Sequence, residues 1–451
     1  MTAHPIDSQL YGHLWGTDEL RRLFDDEGRI QSWLEILAAL AEAQAEFGIV
    51  PEDAARSIRE NADVRRLDLV RVGELTRSTG HSTLGLIRCF QEILPSSARE
   101  WVYYGATVQD VSDTWTSIVL QHVALVLDRD LARAERAARR LAETYADTVM
   151  CGRTHGQPGL PITFGFKAAV WASEVARHRE RVAQGAARWG VAQLGGALGT
   201  MEFWGEQALP LLDSFASRLG LKAPDIAWLT SRDRIAEFVG LLGMVTATLG
   251  KIGQEVYQLQ RPELGEVREG LHRGVVGSIT MPHKVNPEIS EHLVTLARIV
   301  RSKVGPALEA MLHEHERDGR AWKAEWIFLP EACILTGATL SMSCQLLEEL
   351  EIDEDRMMAN LEDRGGYLMS EPVMRELSPL LGKHVAHELV HSIAIRGREQ
   401  GVGFEEVLLA ERTLDGLLSA DEIRKALDPV AAVGSAPEFV RRVLAIEPRP
   451  S

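Results

Sequence analysis

Apolar residues recur at three- and four-residue steps along most of this chain, which is the period of an amphipathic helix. In QSWLEILAALAEAQAEFGIVP, residues 31–51, the apolar face consists of Trp33, Ile36, Leu37, Leu40, Ala43 and Phe47. Gly48 and Pro51 then end the pattern, as helix-terminating residues do. The same period runs through residues 167–184 and 232–261. Because alternating strand patterns are scarce, the sequence predicts an all-α fold.

The predicted helices differ in length and divide the chain into three regions. Residues 1–105 contain short helices separated by turns, residues 106–355 contain long helices interrupted by polar loops, and residues 356–451 return to short helices. We interpret these regions as an N-terminal helical domain, a central long-helix bundle domain and a C-terminal helical domain. Because long apolar helices cannot bury all their faces within one chain, we expect subunits to associate through the bundle.

Composition and charge exclude several classes of function. The 451 residues carry a formal net charge of −16, whereas nucleic-acid-binding proteins usually present a basic face, so we expect no nucleic-acid partner. The four cysteines form no CxxC pair, which argues against a zinc site and a disulfide framework and predicts buried thiols. The N-terminus lacks the pattern of a signal peptide, and the apolar stretch EFVGLLGMVTATLGKIG is too short for a membrane span. We therefore expect a cytoplasmic protein with no membrane partner and no metal.

The most specific polar loop is GSITMPHKVNP, residues 277–287, which lies between two helical patterns. Asn286 and Pro287 form a good helix start, where backbone N–H groups favour a nearby anion. Lys284 adds a positive charge, and Ser278 is the only serine of the loop. A serine acts as a base only where dipoles or a cation stabilise its alkoxide in a closed site. The alternative is a capped turn between helices that has no catalytic function.

Three further glycine-marked loops carry hydrogen-bonding residues. The segment GRTHGQPGLPITFG places His155 where no helix interior can form, and a histidine there can exchange a proton near neutral pH. STGHSTLG contains His81, and YYGATVQDVSDT contains Thr107 and Gln109, whose side chains can bind carboxylates. Each loop alone could equally be a turn that caps a helix. Together they are better site candidates, because all could meet at one end of a helical bundle.

The loop GSITMPHKVNP resembles the signature loop of the fumarase/aspartase superfamily, whose usual form is GSSxMPxKxNP. Other regions agree in order and spacing, so the resemblance covers nearly the whole chain. It implies three mostly helical domains, a homotetramer with a central helical bundle, and active sites built from three subunits. It also implies elimination across a succinyl unit of a small dicarboxylate substrate, with fumarate as the usual product and no metal or organic cofactor.

The resemblance also implies roles for individual residues. Ser278 matches the general base that removes the proton next to a carboxylate, and Lys284 and Asn286 match the residues that hold that carboxylate. His155 matches the general acid of the adenylosuccinate lyases, and Glu291 matches the carboxylate that pairs with it. The remaining predicted substrate-binding residues are His81, Thr107, Gln109, Thr154 and Met281.

Departures from the family pattern bear on the substrate. VAQLGGALGT and EHERDGRAWKAEW resemble 3-carboxy-cis,cis-muconate cycloisomerases, yet those enzymes typically carry tryptophan at the position of His155. Adenylosuccinate lyases carry an arginine for the nucleotide phosphate where this chain has Trp326, so a phosphate would lose a charge-assisted contact. Val108 and Ile279 replace two further serines of the family pattern.

The sequence therefore predicts a lyase that eliminates a nitrogen or other heteroatom group from a substituted succinate other than adenylosuccinate. Its product would be fumarate or a fumarate-like compound. The first alternative is a carboxymuconate-type cycloisomerase, which interconverts a lactone and a diene diacid. The second alternative is a catalytically silent relative, like the lens crystallins of this superfamily. The intact set of catalytic residues argues against silence.

Overall fold

Helices dominate the computed structural model of the chain, which describes residues 4–270 and 276–449. The first ten α-helices are α1 (Gly12–Trp15), α2 (Asp18–Phe24), α3 (Asp26–Glu46), α4 (Glu52–Asn61), α5 (Leu69–Thr79), α6 (Leu84–Ile93), α7 (Ser96–Arg99), α8 (Val108–Thr144), α9 (Phe164–Trp189) and α10 (Ala208–Arg218). They are followed by α11 (Asp233–Leu259), α12 (Glu288–Arg301), α13 (Val304–Glu309), α14 (Gly319–Glu349), α15 (Glu354–Glu362), α16 (Ser370–Leu381), α17 (Lys383–Gln400), α18 (Phe404–Ala410), α19 (Ala420–Ala426) and α20 (Ala436–Leu444).

The shorter elements are 3₁₀-helices and strands. The 3₁₀-helices are Pro5–Asp7, Val64–Arg66, Glu202–Gln207, Tyr367–Met369, Arg412–Leu414 and Ala431–Val433. The strands are β1 (Val149–Thr154), β2 (Gln157–Thr163), β3 (Val267–Arg268) and β4 (Glu351–Ile352). β1 pairs with β2 and β3 pairs with β4, both antiparallel. The predicted all-α fold class is confirmed, because the strands form only two small two-stranded sheets within the described residues.

Helix α3 shows how the apolar period becomes structure. Asp25 precedes the helix, and its carboxylate accepts the N–H of Gly28 at 2.7 Å, which satisfies one of the free amides at the helix start. The predicted apolar face is buried, with Ile36, Leu37 and Leu40 among its members, and the helix packs against α4 and α10. Gly48 follows the helix at φ 69°, a left-handed conformation that glycine adopts at little cost.

The chain forms two compact units, neither of which is one continuous stretch. Unit 1 combines the chain up to Arg129 with Arg179–Ala247 and Thr295–Ser341. Unit 2 combines Asp130–His178, Thr248–Val294 and the chain from Met342 onward. The predicted domain boundaries near residues 105 and 355 were placed by helix length, whereas these two units follow the density of contacts. The predicted three-domain division stays a prediction.

A buried charge network ties three helices together in unit 1. Arg232, just before α11, donates to Asp113 of α8 at 2.7 and 3.0 Å and to Glu325 of α14 at 2.7 Å. All three side chains are almost completely buried. Burial raises the pKa of Glu325 even though the positive charge of Arg232 acts in the opposite direction. One guanidinium therefore serves two carboxylates in the interior.

Unit 2 contains a C-terminal core and the β1–β2 hairpin. Four helices, α16 to α19, bury a shared apolar cluster that includes Leu377, Ile393 and Phe404. Helix α15 packs against β1.

The four cysteines are buried and free of disulfides, as the sequence predicted. They are Cys89, Cys151, Cys333 and Cys344. Burial raises the pKa of each thiol, which leaves them poor nucleophiles at neutral pH.

Within the residues that the structure describes, two helices are long and apolar enough to cross a membrane by length and composition alone. They are α11 and α14, and in each the most apolar 18-residue window is 72% buried within the protein. Such burial is typical of the core helices of a globular protein, which meet the same length and composition criteria.

Replacing Arg232 by methionine should lower the free energy of unfolding by about 3–5 kcal/mol, because Asp113 and Glu325 would remain buried without their cation. Arg71→Met is the matched control, since Arg71 makes a similar two-bond contact with Glu92 at the exposed surface. The control should lose far less stability, because solvent screens an exposed ion pair. Urea unfolding followed by circular dichroism measures both, and equal losses would contradict the argument.

Candidate active site

The loop at residues 277–287 closes on itself in unit 2. The hydroxyl of Ser278 accepts the N–H of Met281 at 3.0 Å, and the N–H of Lys284 donates to the carbonyl of Met281 at 2.9 Å. A Cβ atom on Gly277 would lie 2.7 Å from the carbonyl oxygen of Lys284, so the two ends of the loop approach in a way that only glycine allows. The structure thus brings Ser278, Met281 and Lys284 together, with Met281 and Lys284 exposed.

The helix after this loop is capped from a distant segment. The buried carboxylate of Glu269 accepts the N–H groups of Ile289 at 3.1 Å and Ser290 at 2.8 Å, in the first turn of α12. The sequence analysis expected Asn286 to cap this helix, but its side-chain amide instead donates to Glu288 at 3.3 Å. Glu269 therefore already supplies the anion that the helix start favours.

His155 lies at the tip of a β-hairpin rather than in an irregular loop. Thr154 pairs with Gln157 across the hairpin, and His155 and Gly156 between them have φ angles of 53° and 72°. Two central residues with positive φ form the turn type that matches the twist of a hairpin. The exposed imidazole is therefore carried on a paired scaffold. The signal in the sequence was a two-residue connection containing glycine, flanked by β-branched and proline-rich segments.

A buried ion pair anchors this hairpin next to His155. Arg153 donates two hydrogen bonds to Glu266, at 2.6 and 2.8 Å, and the Glu266 carboxylate has no exposed surface. Asn360 donates a third bond to Glu266 at 2.8 Å. This two-bond geometry restricts Arg153 and the strand that carries it. The sequence analysis missed all three residues, because the partners are more than 90 positions apart.

Glu291 and Thr154 also belong to unit 2. Glu291 lies in the first turn of α12, and Thr154 is the exposed last residue of β1. The pairing of Glu291 with His155 stays a prediction, as do the roles of all predicted site residues.

Thr107 and Gln109 lie together in unit 1, at the start of α8. The hydroxyl of Thr107 accepts a hydrogen bond from Arg317 at 2.9 Å. Gln109 is only 1% exposed, and its amide nitrogen donates to Asp113 at 3.0 Å and to the carbonyl of Leu229 at 2.6 Å. These contacts give Gln109 a structural role at the start of α8. A substrate-binding role for Gln109 stays a prediction.

Asp110 organises the same end of α8. Its buried carboxylate accepts the N–H groups of Thr107, Gly195 and Gly196 at 2.8–3.0 Å and the side-chain amide of Gln193 at 3.2 Å. Desolvation raises the pKa of Asp110 to about 6, although these four donors favour the charged form. The loop of residues 193–196 is therefore fixed beside Thr107.

His81 serves as a cap for α6, which is the alternative that the sequence analysis left open for this loop. Its Nδ1 accepts the N–H groups of Thr83 at 3.4 Å and Leu84 at 3.2 Å. An accepting Nδ1 carries no proton, so the proton of the neutral ring is assigned to Nε2. The exposed imidazole can then donate from Nε2 to a substrate oxygen.

A cavity of about 420 Å³ opens in unit 1, and Ser82, the residue after this histidine, is part of its lining. We call it the tryptophan cavity; its lining includes Arg29, Trp33, Ser82, Trp115, Trp322 and Trp326. Trp322 and Trp326 lie one turn apart on α14, with ring centroids 5.0 Å apart and edge to face. Sequence analysis identified Trp326 but missed the cavity, because the lining comes from six separate helices and the segment around Ser82.

Comparison with known families places these features in context. Residues 15–301 match the family described as Lyase, and residues 366–443 match the family described as adenylosuccinate lyase C-terminus. The chain belongs to the fumarase/aspartase superfamily of lyases. The resemblance stated for the signature loop is thereby confirmed.

This superfamily member is similar to proteins with different reactions. It is 38% identical to the N-acetyl-S-(2-succino)cysteine lyase of Dickeya dadantii over 98% of each chain. It is 37% identical to the 3-carboxy-cis,cis-muconate cycloisomerase of Pseudomonas aeruginosa, over 98% of this chain and 99% of the relative. The crystal structure of the 3-carboxy-cis,cis-muconate lactonizing enzyme from Pseudomonas putida superposes with a TM-score of 0.91 at 32% identity, covering 97% of this chain and 98% of that one. Membership therefore identifies a lyase-superfamily enzyme and leaves the particular reaction open.

Glu266→Gln should loosen the β1–β2 hairpin of this lyase-superfamily protein, because half-buried Arg153 would keep its charge without its counterion. We expect backbone amides of residues 149–163 to exchange roughly 100-fold faster, which corresponds to part of the cost of breaking a buried pair. Hydrogen exchange followed by mass spectrometry measures this. Glu351→Gln, which removes the exposed partner of Arg268, is the control and should leave the hairpin unchanged. Unchanged exchange in Glu266→Gln would show that the pair does not hold the hairpin.

Proposed function

We propose that this enzyme cleaves a 2-succinyl thioether by β-elimination and releases fumarate and a thiol. The observation that carries the elimination is the closed loop that holds Ser278 and Lys284 together. The choice of sulfur is supported by the 38% identity to N-acetyl-S-(2-succino)cysteine lyase over nearly the whole of both chains. A carbon–nitrogen substrate, which the sequence analysis favoured, is the alternative within the same reaction class.

The first step of the proposed reaction removes a proton from the carbon next to one carboxylate. The Ser278 alkoxide takes the proton, and the electron pair moves onto that carboxylate as a dianion. Such a charge develops only where donors are already in place. Lys284 supplies the nearby cation, and the side-chain amide of half-buried Asn286 supplies a further donor. A serine can act as a base here because the same lysine stabilises its alkoxide.

The second step forms the carbon–carbon double bond and breaks the bond to sulfur. The pair of electrons leaves with the sulfur as a thiolate, and His155 then protonates it. A thiol has a pKa of about 8.5, so its anion leaves far more readily than an amide-like nitrogen anion. The demand on the general acid is therefore smaller than for an amine. The exposed hairpin tip leaves His155 accessible to a leaving group.

The second candidate is a cycloisomerase of the carboxymuconate type. It is favoured by the 37% identity to the Pseudomonas aeruginosa cycloisomerase and by the close superposition on the Pseudomonas putida lactonizing enzyme. It is disfavoured by His155, where those enzymes typically carry tryptophan. Product analysis separates the two reactions, since a cycloisomerase converts a diene diacid to a lactone and releases no fumarate.

We also propose that the enzyme is a cytoplasmic homotetramer whose sites take residues from different subunits. Large apolar side chains are exposed on four long helices of the single chain, and burying them against another subunit would be favourable. These are Leu125 on α8, Val170 on α9, Met244 on α11 and Ile327 on α14.

Ser278→Ala should reduce fumarate release from N-acetyl-S-(2-succino)cysteine to background, because no other group of the loop is assigned as base. Fumarate is followed by its ultraviolet absorbance. Global folding should be unaffected, since the half-buried Ser278 hydroxyl bonds within its own loop and contributes little to the stability of the core. Thr280→Ala, which removes a neighbouring exposed hydroxyl, is the matched control and should remain active. Substantial turnover by Ser278→Ala would exclude its role as the base.

His155→Asn should lower kcat by roughly 10²-fold, the low end of the usual contribution of a general acid, because a thiolate leaves more readily than an amine. If each site takes Ser278 and His155 from different subunits, mixing inactive Ser278→Ala and His155→Asn chains should restore activity. Random reassembly gives intact pairs in one half times one half, or about one quarter, of the sites. Light scattering should show a tetramer throughout. A mixture that remains inactive after reassembly would mean that both residues act within one chain.

A further inference from the structure

Three histidines follow one face of α17, opposite the face that the C-terminal core covers. They are His384, His387 and His391, and all three side chains are exposed to solvent. The opposite face of the helix buries Val390 and Ile393 in the apolar cluster that α16 to α19 share. The backbone that carries the histidines is therefore anchored by the core, while the imidazole rings face water.

Two of these rings lie against each other. His387 and His391 are four residues apart, a spacing that makes two side chains neighbours on the surface of a helix. Their ring centroids are 6.0 Å apart, and their ring planes differ by only 12°. Within the described part of the chain, neither imidazole makes a hydrogen bond or an ion pair with another residue. Each neutral ring therefore has a nitrogen lone pair available to an external ligand.

The order of the residues points to a metal ion as that ligand. Residues 387–391 read HELVH, and the pattern HExxH on a helix places two imidazoles on one face, where they can bind zinc. Zinc binds imidazole nitrogen at about 2.0–2.1 Å, so the two nitrogens must come within roughly 3–4 Å of each other. Exposed side chains rotate freely enough to reach this separation. Glu388, which follows His387 and is exposed, adds a negative charge that favours a cation nearby.

The ligand set differs from that of a zinc hydrolase. A catalytic zinc centre has three protein ligands and one open position. Among the described residues, no group of three or more histidine, cysteine, aspartate or glutamate side chains is arranged to hold a metal ion. Two histidines would fill two of the four tetrahedral positions of zinc, and water would fill the others.

We propose that His387 and His391 form a two-histidine site that binds Zn²⁺. Sequence analysis expected no metal, but that expectation depended on the spacing of the cysteines, whereas neutral imidazole is itself the commonest metal ligand. Helix α17 carries none of the predicted catalytic residues. The inference is therefore independent of the proposed lyase reaction.

Isothermal titration of the full-length chain with Zn²⁺ tests the site. The buffer is mildly alkaline, because a protonated imidazole cannot bind metal. His387→Asn and His391→Asn should each weaken the binding of one zinc ion per chain by roughly 100-fold, the advantage of two ligands held on one element. His13→Asn removes an exposed histidine of α1 and is the matched control, which should bind zinc as the wild type does. Mg²⁺ should not bind, because it prefers oxygen ligands.

The circular dichroism spectrum should be the same for all of these variants, since surface substitutions change stability little. Equal zinc affinity of the wild type and the two folded α17 variants would overturn the inference.

Chemical modification locates the bound ion. Diethyl pyrocarbonate acylates exposed imidazoles that hold no metal, and mass spectrometry measures the reaction at each histidine. Zn²⁺ should suppress the modification of His387 and His391, EDTA should restore it, and His13 should react equally in both conditions. Equal protection of His384 would show a different ligand set and would overturn the two-histidine assignment.

Discussion

Two carboxylates buried on one short segment of unit 2 determine where the elements with predicted catalytic residues lie. Glu266 holds Arg153 at the hairpin, and Glu269, three residues later, holds the first amides of α12. A buried carboxylate without donors would cost several kcal/mol, so each one must meet an element that supplies them. The hairpin that carries His155 and the helix that follows the Ser278 loop are thereby tied to the same segment.

Unit 1 has the same physical constraint, but there the central buried group is a cation and its partners are carboxylates. Arg232 is buried between two carboxylates, and the helices that supply them cannot separate without exposing or stranding a charge. Glu325, one of these carboxylates, also lines the tryptophan cavity, and Trp322 and Trp326 flank it on the same helix. The network thus supports the wall of the cavity as well as the packing of α8 and α14.

The two units contain different kinds of candidate site. In unit 2, the loop that is closed at its own glycine carries Ser278 with Lys284, the proposed base and its proposed cation. In unit 1, indole side chains line a cavity around Arg29. The proposed removal of a proton and the shape of this cavity therefore depend on separate sets of residues.

Local sequence determined the helices and the polar loops, because the apolar period and the turn residues act over a few positions. The signature loop around Ser278 was recognisable for the same reason. Tertiary structure alone decided that Gln109 is buried and that Glu269 rather than Asn286 caps α12. It also assembled the tryptophan cavity from distant helices. These features depend on pairing across 20 to more than 100 residues, which no local pattern encodes.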